Sequence, residues 1–206
     1  MLRIWGRSNS VNVQKVMWCC EEIGLAHERI DAGGSFGVVN TQQYRNLNPN
    51  GLVPTIEEDG FVLWESNAIV RYLAAKHSAG KLWPEDLNIR AEADKWMDWQ
   101  NSTFWPTFRP LFWNLVRTAP DQRDANAMEE SRLKTAEIMG YLDAHLKNRL
   151  YIGGDALTIG DIPLGCSVWR WMGLPFERPE LANVQRWFDN LSQRPGYKKV
   201  VMLPLT

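Results

Sequence analysis

The hydrophobic period of this chain changes repeatedly over its first 78 or so residues and is helical from there on. Any fold must satisfy that break. Alternation around Leu2 and Ile4 predicts a strand over 2–6, and the spacing of Val13, Val16, Met17, Cys20 and Ile23 predicts a helix over 12–24. A strand near 27–31, a short helix near 41–47, strands at 54–57 and 61–64 and a helix at 66–77 follow. Glu58, Asp59 and Gly60 make a tight turn between the last two strands. This is a βαβ unit followed by ββα, with a mixed four-stranded sheet. Ala79–Asn88, carrying Gly80, Pro84 and three charges, reads as a linker, which divides the chain into an α/β domain over 1–80 and an all-helical domain over 89–206.

In the helical part, Leu133, Ala136, Met139, Leu142 and Leu146 form one apolar stripe, and Val184, Trp187, Phe188 and Leu191 form another. Thr158-Ile-Gly-Asp161 reads as a capping box, with the Thr158 hydroxyl accepting from the Asp161 N–H and the Asp161 side chain reaching back.

Composition bounds the function. With 206 residues, 45% of them hydrophobic and 23% charged, the chain is an ordinary globular protein able to bury a substantial core. A net charge of −1 gives no basic footprint for nucleic acid or an anionic membrane. No apolar run approaches a membrane span, and Arg3 and Arg7 break any signal-peptide pattern. Three cysteines, two of them adjacent, form neither a disulfide framework nor a metal motif; they read as packing residues in a reducing cytoplasm. His27, His77 and His145 lack ligand spacing, so no metal is expected.

Two segments carry polar groups where strands feed helices. Ser10 and Asn12 stand at the start of the first helix, where unpaired N–H groups and a partial positive charge can hold a thiolate or carboxylate; a simple helix cap is the competing reading. Ser66 stands ready to cap the helix at 66–77, with Glu65 beside it. A donor cluster for an anion next to an acceptor for a cation suits the head of an α-amino acid, although capping beside a solvated Glu also explains the pair. Between these segments, Val53-Pro54 opens a strand. A cis bond there would turn the chain and leave the Val53 backbone free for a ligand's peptide groups.

The order SNSVN, NPNGLVP, ESNAI and then LTIGD resembles the cytosolic glutathione transferase family over essentially the whole chain, and within it bacterial members with a serine two positions before an asparagine. The resemblance implies a thioredoxin-like domain that binds glutathione, a helical domain that supplies an electrophile pocket, and a homodimer. Ser10 then matches the position of the catalytic side chain, and Asn12 an asparagine that helps at the sulfur. Val53 and Pro54 match the backbone contact to the cysteinyl unit, and Glu65 and Ser66 the pair that holds the γ-glutamyl group. Lowering a thiol from about 8.5 by two units requires about 2.7 kcal/mol of thiolate stabilisation. A hydroxyl, an amide and a helix N-terminus suffice, at roughly 1.5 to 3 kcal/mol per bond to a charged acceptor. Ser10 is thus a donor to the sulfur and no general base is needed.

Two departures stand out: Leu52 replaces a polar glutathione contact of several branches, and Asn40 stands near a lysine of others. Arg7 is a candidate for the glycyl carboxylate by charge. Conjugation of glutathione to small or aromatic electrophiles is the first function implied. Glutathione-dependent disulfide or peroxide reduction at the same site, and a non-catalytic binding module, are the alternatives.

Residues 96–117 concentrate aromatic side chains. Phe104, Phe108 and Phe112 share one helical face and Trp105, Arg109 and Trp113 another, while Pro106 and Pro110 remove helix hydrogen bonds and predict a kink. Trp105, Phe108, Arg109 and Trp113, with Trp169 from a later helix, are the candidate lining of the electrophile pocket. Core packing or a subunit interface is the alternative. Arg109 among aromatics suits an anionic electrophile or simply stacks.

Overall fold

The computed structural model describes residues 1–206. Strands β1 (Leu2–Trp5), β2 (His27–Ile30), β3 (Thr55–Glu58) and β4 (Phe61–Trp64) form one sheet in the order β2-β1-β3-β4. β1 pairs parallel with β2, Ile4 opposite Arg29, and antiparallel with β3, Ile4 opposite Ile56. β3 and β4 close through Asp59 and Gly60, both at positive φ, the two-residue turn whose twist matches the flanking strands.

Helix α1 (Val11–Ile23) connects β1 to β2, α2 (Gln42–Leu47) precedes β3, and α3 (Ser66–His77) follows β4. The expected elements of this part are all present, with ends shifted by one or two residues. The helical part holds α4 (Leu87–Trp99), α5 (Trp105–Val116), α6 (Ala125–His145), α7 (Asp161–Gly173), α8 (Ala182–Ser192) and α9 (Pro195–Val200). α4 begins inside the segment expected to be a linker, because Asp86 accepts from the N–H groups of Asn88 and Ile89 and starts the helix early. The kink expected at the prolines takes the form of a wide π-turn over Gln100–Phe104 between α4 and α5, with Pro106 in the first turn of α5, where its missing N–H costs nothing, and Pro110 inside the helix.

α1 packs on α3 on one side and on α7 and α9 on the other, so it is buried almost all round. Trp18 is fully buried, meets Tyr197 edge to face at 4.8 Å, and lies so close to Gly165 that a Cβ there would come within 2.8 Å of its ring. The Tyr197 hydroxyl donates to the Gly165 carbonyl, and Arg194 pairs with Glu22 beside them. Cys19, Cys20 and Cys166 are buried in this core.

Two sequence expectations are corrected here. The inward face of α6 is Ser131, Thr135, Met139 and Leu142, and Leu133 is 54% exposed. The small hydroxyl residues allow α5 to approach: Ser131 donates to the Thr107 carbonyl and Thr135 to the Ser131 carbonyl, which makes their burial inexpensive. The capping box is present in one half only: Asp161 reaches back to the Thr158 N–H as expected, but the Asp161 N–H goes to the Thr158 carbonyl and not to its hydroxyl. The Asp161 carboxylate is fully buried and accepts from the Thr158 N–H and hydroxyl, the Ile152 N–H and the Trp187 Nε1–H, and the Thr158 hydroxyl donates instead of accepting. Burial pushes this carboxyl up to about 6 against the pull of its four donors. Asp161→Asn puts an amide NH2 against one pair of these donors; even when it faces Thr158, whose hydroxyl can turn to accept, the Thr158 N–H is stranded, at about 1 to 3 kcal/mol. We expect calorimetry to show a melting temperature lower by roughly 2 to 12 °C, at about 2 to 4 °C per kcal/mol for a chain of this size; a fall of less than about 2 °C contradicts the role given to Asp161.

Candidate active site

Side-chain acceptors cap four of the nine helices: Thr41 accepts from the first turn of α2, Asp86 from α4, Asp124 from α6, and Asp143 of α6 from α8. α1 and α3 have none, and neither do α5, which continues from the π-turn, α7, with Asp161 in its first turn, and α9, which starts at Pro195. Ser10 has the extended backbone of an N-cap, φ −77° and ψ 126°, yet its hydroxyl makes no capping bond. The competing cap reading for Ser10 therefore fails on geometry. The N–H groups of Val11, Asn12 and Val13 have no acceptor in the chain, and neither the Ser10 hydroxyl nor the Asn12 amide is engaged.

At α3 the N-cap position belongs to Glu65, at φ +70°, and Ser66 is the first helical residue; the expectation that Ser66 caps this helix is corrected. The left-handed backbone at Glu65 is uncommon for a side chain of this size. Its carboxylate is exposed and makes no bond within the chain.

Both helix N-termini open on one small cavity of about 80 Å³, lined by Asn12, Val53, Pro54, Glu65, Ser66 and the loop side chains Asn48, Asn50 and Leu52. The Val53–Pro54 bond is cis, and the Val53 N–H and C=O make no hydrogen bond within the chain. The loop is held from behind. Asn48 donates to the Leu52 carbonyl and accepts from the Asn50 N–H, and the Tyr44 hydroxyl donates to the same carbonyl at 2.7 Å. Sequence reasoning passed over Asn48 and Tyr44, although the Asn-Pro-Asn-Gly run signals side-chain to backbone turns.

A larger cleft of about 370 Å³ shares Asn12, Leu52 and Val53 with the first and continues past Ser10 to α5. Trp105, Arg109 and Trp113 line it as expected from their shared face, joined by Phe112. Phe108 does not. It is fully buried between Phe104, Phe112 and Trp171, at ring distances of 5.5 to 6.1 Å, because the 104/108 side of α5 faces the core. Trp169 is also outside the cleft: its ring stacks on Phe188 and its Nε1–H donates to the Leu203 carbonyl. The sequence missed Arg117 and Arg170 as lining residues. Arg170 is buried and donates to the Cys166 and Asn9 carbonyls, which ties α7 to the loop that carries Ser10.

Lys15, unsuspected from the apolar spacing around it, lies fully buried beneath Ser66. Its Nζ donates to Gln100 Oε1 at 2.8 Å and reaches the Ser66 Oγ at 3.5 Å, and Gln100 Nε2 donates to Ser167 Oγ. Burial is the main cause that brings its ammonium down to about 8, with Cys166 and Glu65 opposing and Arg170 adding to the fall.

These features define a thioredoxin-like sheet joined to an all-helical part, with a ligand cleft at their junction. The description "Glutathione S-transferase, N-terminal domain" matches residues 9–76 and "Glutathione S-transferase, C-terminal domain" matches residues 103–195, so the chain belongs to the glutathione S-transferase family and is a transferase. It is 40% identical over 208 residues to glutathione S-transferase GstB of Escherichia coli, covering 100% of both chains, and 28% identical to glutathione S-transferase F11 of Arabidopsis thaliana over 98% of each. Among solved structures it superposes with a TM-score of 0.96 on the theta class glutathione S-transferase of Xanthomonas axonopodis pv. citri with glutathione bound, at 47% identity over 100% of this chain and 99% of that one.

Lys15 has a measurable signature. Between about 8 and its ordinary 10.5 the unfolded chain holds a proton that the folded chain has released, so stability rises with pH across that window. In urea titrations we expect wild type to gain on Lys15→Met between pH ~8 and ~10 and to show a constant difference below pH ~7. The buried Cys20 thiol, pushed up to about 12 by burial, opposes the gain in both proteins, and Cys166 opposes it more in Lys15→Met, which lacks the lysine charge that pulls this thiol down. A difference that stays flat across the window contradicts the depressed lysine.

Proposed function

We propose that this protein conjugates the glutathione thiolate to small or aromatic electrophiles. The observation that carries the reading is the unspent donor set at the start of α1, beside a cavity whose other rim is the equally uncapped start of α3. The Ser10 hydroxyl and the Asn12 amide donate to the sulfur, and the helix N-terminus adds its partial positive charge. The Val53 backbone, set by Pro54, pairs with the cysteinyl unit. Glu65 accepts the γ-glutamyl ammonium, and Ser66 with the first N–H groups of α3 takes the neighbouring carboxylate. Trp105, Arg109 and Trp113 form the wall that receives the electrophile.

The residues 1–80 thus serve as the glutathione-binding domain and 89–206 complete the electrophile pocket. Chemistry by a thiol of the protein has little support: position 10 is Ser, and burial pushes Cys20 and Cys166 up to about 12. The same reading takes the protein as a cytoplasmic homodimer, the assembly that the family resemblance implies.

The test is a pH titration of the ultraviolet thiolate absorbance of bound glutathione. In wild type the bound thiol is expected about two units below the ~8.5 of a free thiol. Ser10→Ala is expected to raise it by about one unit, about 1.4 kcal/mol, with about a threefold loss of thiolate and turnover at neutral pH that grows to about tenfold below pH ~5.5. Adding Asn12→Ala raises it further. If neither change moves the titration, the sulfur lies elsewhere and this assignment is wrong.

A further inference from the structure

We propose that the larger cleft is an anion-selecting subsite whose electrophile carries a carboxylate on an aromatic ring. The proposal rests on the conjugating function for the reaction, though not for the binding preference. Arg7, Arg109, Arg117 and Arg170 all line this one cleft, and no Asp or Glu does. Some arginines elsewhere are paired, Arg71 with Asp94 and Asp98, Arg132 with Glu129 and Arg194 with Glu22, and those without a carboxylate, such as Arg45, Arg123 and Arg178, are scattered instead of gathered in one cleft. None of the four cleft arginines is paired with an Asp or Glu side chain, and Arg117 donates to a main-chain oxygen of Thr206, which also lines the cleft.

Gathering like charges without counter-ions is unfavourable in a partly desolvated site. Burial, and then the charge of Arg117, lowers the Arg7 guanidinium. Burial brings Arg170 down to about 10, with Arg117 and Arg7 among the further causes. An anion in the cleft relieves that repulsion.

Two of the donors are also held together. Arg109 and Arg117 lie over the same Trp113 ring, at 4.8 and 5.3 Å from its centroid, which holds both guanidiniums beside one aromatic surface. Arg109 makes no hydrogen bond within the chain, and Arg117 spends only one, on the Thr206 carbonyl. Trp105 and Phe112 supply apolar walls beside them. Ser10 and Asn12 line the same cleft from α1, so a ring held by its carboxylate at the arginines extends toward the sulfur. For a para-(chloromethyl)benzoate the glutathione sulfur attacks the benzylic carbon, the C–S bond forms, and chloride leaves with the electrons of the C–Cl bond. The thiol proton has already gone to solvent when the thiolate forms.

The test compares para-methylbenzoate with its uncharged isostere para-methylbenzamide by calorimetric or NMR titration, with S-methylglutathione saturating the glutathione site. We expect the acid to bind at least tenfold tighter, to lose that advantage at high salt, and to rank Arg109 above Arg109→Lys above Arg109→Gln. Equal affinity for acid and amide in wild type, undiminished acid binding in Arg109→Gln, or displacement of the acid by S-methylglutathione overturns the proposal; the last result assigns the arginines to glutathione's own carboxylate. Turnover of para-(chloromethyl)benzoate and its amide is followed in parallel. Acid binding with neither compound conjugated removes the proposed conjugation of such electrophiles and leaves the subsite. Conjugation of both with no preference does the reverse.

Discussion

Helix α1 has almost no solvent face, and the rest of the molecule is arranged around that fact. One side of it closes the sheet with α3, and the other receives α7 and α9 through Trp18, Gly165 and Tyr197. A fully buried aromatic side chain contributes on the order of 2 to 3 kcal/mol, and Trp18 makes that contribution at the junction itself. Because β1 feeds α1 directly, the sheet register, the helix position and the place where Ser10 and Asn12 emerge are set together. The Lys15–Gln100–Ser167 chain crosses the same junction and carries the floor of the smaller cavity, beneath Ser66, on helices of both parts.

The donors at the starts of α1 and α3 are left unsatisfied, whereas Thr41, Asp86, Asp124 and Asp143 satisfy the corresponding groups of α2, α4, α6 and α8. A side-chain cap stabilises a helix by about 1 kcal/mol, and a non-glycine residue at positive φ costs about 1 to 3. α1 and α3 forgo the caps and Glu65 bears the strained backbone, all within one cavity. Four arginines with no Asp or Glu beside them add a charge imbalance in the neighbouring cleft. Local rules fail together in the region where a ligand can complete them, as expected of a functional site.

Much of this was legible in the sequence, for reasons that differ by element. The strands and helices of the first 78 residues announced themselves through period and turn chemistry, and Ser10, Asn12, Val53 and Ser66 through their places at strand-to-helix junctions. Phe108 and Trp169 were misplaced because a helical wheel separates faces without saying which of them meets the core. The inward face of α6 was hidden because Ser131 and Thr135 face α5, where close approach outweighs apolar area. Lys15, Arg117 and Arg170 could not be seen: their roles depend on charges brought near one another from distant parts of the chain, and no local spacing records that.

The shared burial of α1 limits how such a protein can be rebuilt. Joining this sheet to the helices of a relative would set foreign side chains against Trp18 and the backbone groove at Gly165. Broader substrate range by exchange of modules therefore requires α1 to be recoded along its outward side, whereas altering single residues on the open flank of α5 leaves that seam intact.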